Sequence, residues 1–83
     1  MSLYLDTHTG VHGVTLEELA EAHARDVAVQ AKYNARYIKY WYDATTGRVW
    51  CLCEAPTSDA ALAVHLEAQG EAPDEIFEVQ EFE

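Results

Sequence analysis

Two apolar runs facing each other across a turn limit what this chain can become. Residues 37–42 read Tyr-Ile-Lys-Tyr-Trp-Tyr and residues 49–53 read Val-Trp-Cys-Leu-Cys, with Thr45-Thr46-Gly47 between them. Aromatic and β-branched residues favour strands, and a short polar link with glycine favours a hairpin. Strict alternation separates Tyr37 and Trp41 from Ile38, Tyr40 and Tyr42. It also separates Val49, Cys51 and Cys53 from Trp50 and Leu52. Both faces of the hairpin are therefore apolar, whereas a sheet open to water on one side alternates apolar with polar. One face can take helices. The aromatic second face calls for another chain, and we expect a homodimer packed sheet to sheet.

The remaining segments supply the rest of such a sheet. Leu3 to His8 alternates as a short strand, and Gly10 and Gly13 mark the following loop. Thr15 with Glu18 three residues later forms a capping box, and Val14 is placed to staple against Leu19. A helix from there to about Tyr33 carries a stripe of Leu16, Leu19, Ala20, His23, Val27 and Gln30 or Ala31. Arg36 to Asp43 and Arg48 to Glu54 are the hairpin strands. Thr57 or Ser58 caps a second helix that ends at Gly70. Pro73 keeps the next turn out of a helix, and Glu75 to Phe82 alternates as a last strand. The order βαββαβ is the ferredoxin-like arrangement, an α+β antiparallel sheet with two helices on one face. At 83 residues the chain is expected to be one domain over residues 1–83.

Charge narrows the function. Five Lys and Arg stand against 15 Asp and Glu, giving a net charge of −10. Residues 54–83 hold 9 acidic groups and no Lys or Arg. Such a chain is repelled by phosphate backbones and anionic membranes, so neither nucleic acid nor a membrane is an expected partner. It attracts cations. No signal peptide opens the chain and no window is long enough to span a bilayer. Cys51 and Cys53 sit two apart on one strand, a poor geometry for a disulfide. Reduced thiols in the cytoplasm are expected. The pair reads as buried strand residues, with thiolate metal binding as the other reading.

Four histidines carry the candidate chemistry. Asp6, His8 and His12 form Asp-x-His-x-x-x-His at the end of the first strand, a spacing that lets imidazole and carboxylate share an ion. Ni, Zn, Cu and Co all suit those ligand types. His23 lies on the first helix with Asp26 at i+3, which makes Asp26 a co-ligand or an acceptor that orients the imidazole. His65 lies in the second helix, on the same side of the sheet as His23. No nucleophile elbow, P-loop or dinucleotide-binding glycine pattern is present.

The segments Ala22-His23-Ala24-Arg25-Asp26-Val27-Ala28-Val29-Gln30-Ala31-Lys32-Tyr33, Tyr37–Asp43, Cys51–Pro56 and Ala63-Val64-His65, with Asp74-Glu75-Ile76, together resemble a family of small proteins. Its best-known type is a dimeric nickel-binding protein with a ferredoxin-like fold. The likeness runs from about Leu3 to Val79. It implies a cytoplasmic dimer that binds a divalent transition metal, nickel foremost, through His8, His23, Asp26 and His65. With His12 these form the expected ligand set. One departure is Gln69, where the family often carries a second histidine four residues after the one matching His65. The expected function is non-enzymatic metal buffering, storage or response. The alternative is a small-molecule enzyme resembling the dimeric αβ-barrel monooxygenases and isomerases, with a cavity between sheet and helices. In it His23 and Asp26 are base and orienter, and Tyr40 or Tyr42 is the proton donor.

Overall fold

In a computed structural model describing residues 1–83, the chain folds as β1 (Ser2–His8), α1 (Leu16–Gln30), β2 (Arg36–Asp43), β3 (Arg48–Ala55), α2 (Ser58–Gln69) and β4 (Glu75–Val79). The four strands form one antiparallel sheet in the order β2-β3-β1-β4, with β1 and β3 at its centre. This is the ferredoxin-like βαββαβ fold expected from the segment order. No helix is long and apolar enough to cross a membrane.

Local chemistry explains the helix ends. The Thr15 side chain accepts from the Glu18 backbone N–H at 3.1 Å, and Glu18 Oε1 accepts from the Thr15 N–H at 3.1 Å. Two N–H groups at the start of α1 are thus satisfied. The α-helix stops at Gln30 and continues as a 3₁₀ turn over Ala31–Tyr33, which Asn34 ends in the left-handed region at φ 56°. Thr57 caps α2 through Ala60 N–H at 3.2 Å, and Gly70 closes it at φ 76°.

The helix-facing side of the sheet reads as cross-strand rows. One runs Tyr37, Cys53, Tyr4 and Glu78; the next runs Tyr40, Cys51, Asp6 and Ile76; a third pairs Tyr42, Val49 and His8. Tyr37, Tyr40 and Tyr42 share this side because the β2–β3 register shifts between Tyr37 and Lys39. Ile38 is the extra residue of a bulge, and one extra residue exchanges the faces of everything after it. Strict alternation therefore misassigns Trp41, Tyr40 and Tyr42. Trp41 pairs with Trp50 on the other face, beside the row Lys39, Leu52, Leu5 and Phe77.

The inner stripe of α1 also differs from the expected one. Leu16 is 76% exposed and Val27 is exposed, whereas Asp26 is the buried residue of the helix. The buried side passes through Leu19, Ala22, His23, Asp26 and Val29. A carboxylate holds the place that a hydrophobic count gives to Val27, because it has a partner inside. The last strand stops at Val79 rather than Phe82. Its partner β1 begins at Ser2 and the final pairing is Leu3 with Val79.

The core is built of small side chains around polar ones. Cys53, Ala55, Ala61 and Val64 are fully buried, and so is Asp6. His65 is the largest fully buried side chain. Stability therefore leans on helix capping as well as on apolar area. Replacing Thr15 with Ala is expected to cost about 1 kcal/mol in a urea unfolding experiment with an unchanged slope.

Candidate metal centre

The site grows from the row that the sheet places at its centre. Antiparallel pairing sets Cys51 directly opposite Asp6, and His8 lies two residues along β1 on the same face. The helix α2 then lays His65 over this row. Asp6 Oδ1 lies 2.9 Å from His8 Nε2, and Asp6 Oδ2 lies 2.8 Å from His65 Nε2. Asp26, from α1, takes the other side of the same ring, with Oδ1 3.0 Å from His65 Nδ1. The Tyr37 hydroxyl reaches both Asp6 Oδ2 at 3.2 Å and the Ala61 carbonyl at 3.1 Å. No buried side-chain polar atom is left without a partner.

These contacts set the protonation. Burial pulls the His65 imidazole down, but the hydrogen bonds to Asp26 and Asp6 overcome it and raise the group to about 12. For His8, burial is likewise outweighed, chiefly by the hydrogen bond to Asp6, and the pKa rises to about 9. Burial works against ionised Asp6, yet its bonds to His65 and His8 hold its carboxyl below the usual range. Burial raises Tyr37, and the nearby Asp6 adds to the effect, so it stays a neutral hydroxyl. Burial also pushes the Cys53 thiol up to about 11. At neutral pH the site holds imidazolium groups against carboxylates.

Four donors converge. One ligand atom each from Asp6, His8, Cys51 and His65 lies within 4.8 Å of the others. Metal bonds of about 2.0–2.3 Å give donor–donor edges of roughly 3.3–3.7 Å in a tetrahedron, so closure around an ion needs a contraction of about 1 Å. Two imidazoles, a thiolate and a carboxylate form a donor set for Ni, Zn, Co or Cu rather than for Ca or Mg. Asp26 adds the carboxylate that orients a ligating histidine from behind.

The expected ligand residues separate into groups. His8 and His65 belong to the cluster. Asp26 is bonded to His65, not to His23, its neighbour on the helix. His23 lies against Tyr40, ring centroids 5.0 Å apart, and lines the cleft above the cluster. His12 lies outside that lining, its ring packed against Gly47. Gln69 is structural: it accepts from Arg25 at 3.0 and 3.3 Å and donates to the Ala22 carbonyl at 2.6 Å, tying α2 to α1. Asp6, part of the Asp-x-His-x-x-x-His spacing, and Cys51, read first as a buried strand residue and second as a thiolate ligand, complete the cluster, although neither is in the ligand set that the resemblance implies. The Cys51-x-Cys53 spacing raises thiolate binding without a partner; the pairing with Asp6 is what separates Cys51 from Cys53.

Fold and donor set together define a ferredoxin-like protein with a candidate metal-ligand cluster. A family profile described as nickel responsive protein SCO4226-like matches residues 4–79, and the chain belongs to this family. Among solved structures it is similar to SCO4226 from Streptomyces coelicolor A3(2). The two share 36% sequence identity with a TM-score of 0.91, over 99% of this chain and 100% of the other. Comparison with curated proteins finds no match.

The paired ions predict a stability profile. A histidine whose pKa is raised on folding contributes stability that is complete below its unfolded value of 6.5 and fades as pH climbs through the folded value. Asp6, held low, contributes above its unfolded value of 3.8 and loses that contribution as pH falls. The metal-free protein should therefore melt highest between about pH 4 and 6.5, and its melting temperature should drop from pH 6.5 to 9. Scanning fluorimetry across that range checks this. In a His65→Asn variant the decline above pH 6.5 should be shallower.

Proposed function

We propose that this protein binds a divalent transition metal of the nickel type, without enzymatic activity, in metal buffering, storage or response. The observation that carries this reading is the convergence of Asp6, His8, Cys51 and His65. The family description, nickel responsive, supports it and puts nickel first, ahead of zinc, cobalt and copper. Electrostatics also favour it. Two imidazolium protons bridge to Asp6, and a dication that displaces both leaves the charge of that part of the site unchanged. The ion then takes over the contacts to Asp6 while Asp26 keeps hold of the His65 Nδ1–H. The acidic surface raises the local cation concentration. Two free thiols, Cys51 and Cys53, fit a reducing cytoplasm.

Calorimetric titration of the tag-free protein with Ni²⁺, Zn²⁺, Co²⁺ and Cu²⁺ tests the reading. At least one ion should bind more tightly than about 100 µM, roughly −5.5 kcal/mol. The absence of such binding for all four rejects it. His8→Ala and Cys51→Ser should each weaken binding, Asp26→Asn should weaken it by about 10–100-fold, and His12→Ala should not. Affinity should rise from pH 6 to 9, because the ion competes with the protons on His8 and His65.

A homodimer through the outer sheet face belongs to the same reading. Leu5, Leu52, Trp41, Trp50 and Phe77 form a connected apolar surface there, with Trp41 46% and Phe77 45% exposed. Such a surface suits burial against its own copy. Light scattering should give the mass of a dimer, and Trp41→Glu should give the mass of a monomer with an unchanged circular dichroism spectrum.

A further inference from the structure

A cleft of about 290 Å³ lies between the helices and the sheet, above the polar cluster. Val11, Val14, Leu19 and Val49 give it an apolar wall. That wall is fixed in place. The Val11 N–H donates to the Gly47 carbonyl at 2.8 Å, and the Val11 carbonyl accepts from the Tyr42 hydroxyl at 2.9 Å. Val11 and Leu19 pack on the core, of which Val49 is part. The apolar surface is thus formed before anything binds, so little ordering cost falls on an occupant.

No buried charge in the cleft is free to pair with an occupant. At the floor His65 is held between Asp6 and Asp26, and His8 is bonded to Asp6. Glu18, Arg25 and Glu71 stand exposed at the rim, where water weakens any ion pair. An ionised ligand would lose hydration against the apolar wall with no buried counter-charge in return. Two polar groups remain open. His23 and Tyr40 are half-buried with ring centroids 5.0 Å apart, and neither the imidazole nor the hydroxyl bonds to another group of the chain. Each can donate or accept. Their match is a hydroxyl, which does both, whereas a carboxylate only accepts and an ammonium only donates. We propose that the cleft binds a neutral, largely apolar alcohol or phenol. Its hydroxyl is shared by His23 and Tyr40, and its body lies on the three valines and Leu19. A cavity of about 150 Å³ holds one benzene ring, and this cleft has room for two fused rings. The inference goes beyond metal binding and does not depend on an ion at the floor.

Nuclear magnetic resonance titration of the full chain, freed of metal with a chelator, tests this with naphthol at neutral pH. The expected result is saturable binding tighter than about 1 mM, with nuclear Overhauser contacts to the methyl groups of Val11, Val14, Leu19 and Val49. Naphthoate and naphthylmethylammonium, similar in shape but charged, should bind at least about ten-fold more weakly. Tyr40→Phe, which keeps the ring and removes the hydroxyl, should weaken naphthol about five-fold, as for one lost hydrogen bond, and leave the binding of naphthalene unchanged. Contacts to Leu5 and Leu52 on the outer sheet face instead overturn the proposal. So do binding of either charged analogue as tight as that of naphthol, equal effects of Tyr40→Phe on naphthol and naphthalene, and the absence of naphthol binding below about 1 mM. Because no ion is present, each of these results leaves metal binding standing, and a failed nickel titration leaves this proposal standing.

Discussion

A buried imidazole held between two carboxylates governs this small fold. His65 donates one ring N–H to Asp6 on the central strand and the other to Asp26 on the first helix. A charge taken out of water is strongly unfavourable unless it is paired and hydrogen-bonded. Those two bonds therefore fix where α2 sits relative to both β1 and α1. Removing either carboxylate leaves a buried charge uncompensated. The small side chains around the network, Cys53, Ala55, Ala61 and Val64, let three elements approach closely enough for it to close. Tyr37 completes the shell, using one hydroxyl for Asp6 and for the Ala61 carbonyl.

The same bonds make structure and chemistry compete for the same atoms. The lone pairs suited to an ion are those that carry the bridging protons in the metal-free protein. Raising the pH loosens the proton-bridged core and frees the imidazoles, so under the proposed function metal-free stability and ion affinity would depend on pH in opposite directions. An ion bound there would replace a pH-sensitive bridge with one that ties the same strands and helix together.

Much of this was legible in the sequence, for reasons that are local. Thr15 with Glu18, Thr57, Gly70 and the Thr45-Thr46-Gly47 turn announce element ends through side chains that act on their own neighbours. The four-strand, two-helix order follows from them. What escaped depends on residues distant in sequence. Asp26 looks like a companion of His23 along one helix, but its partner is 39 positions away in α2. Cys51 reads as one more small core residue until pairing sets it opposite Asp6. Asp6 was visible as part of the Asp-x-His spacing, yet its burial was not. Leu16 and Val27 misled for the complementary reason: a helix turns toward its strongest partner, here an ion pair, and leaves apolar residues outside.

The bulge at Ile38 bears on how the chain can vary. Before it, Tyr37 serves the buried network; after it, Tyr40 looks into the cleft and Tyr42 holds the loop through the Val11 carbonyl at 2.9 Å. One supernumerary residue thus keeps three hydroxyls on the inside and Trp41 on the outside. Loss of that residue amounts to several substitutions at once, bringing an indole inward and turning two phenols outward. Variation by point replacement is open to this strand, whereas variation by length is nearly closed. A change in length at Ile38 would alter both the inner cleft and the outer sheet face in a single step.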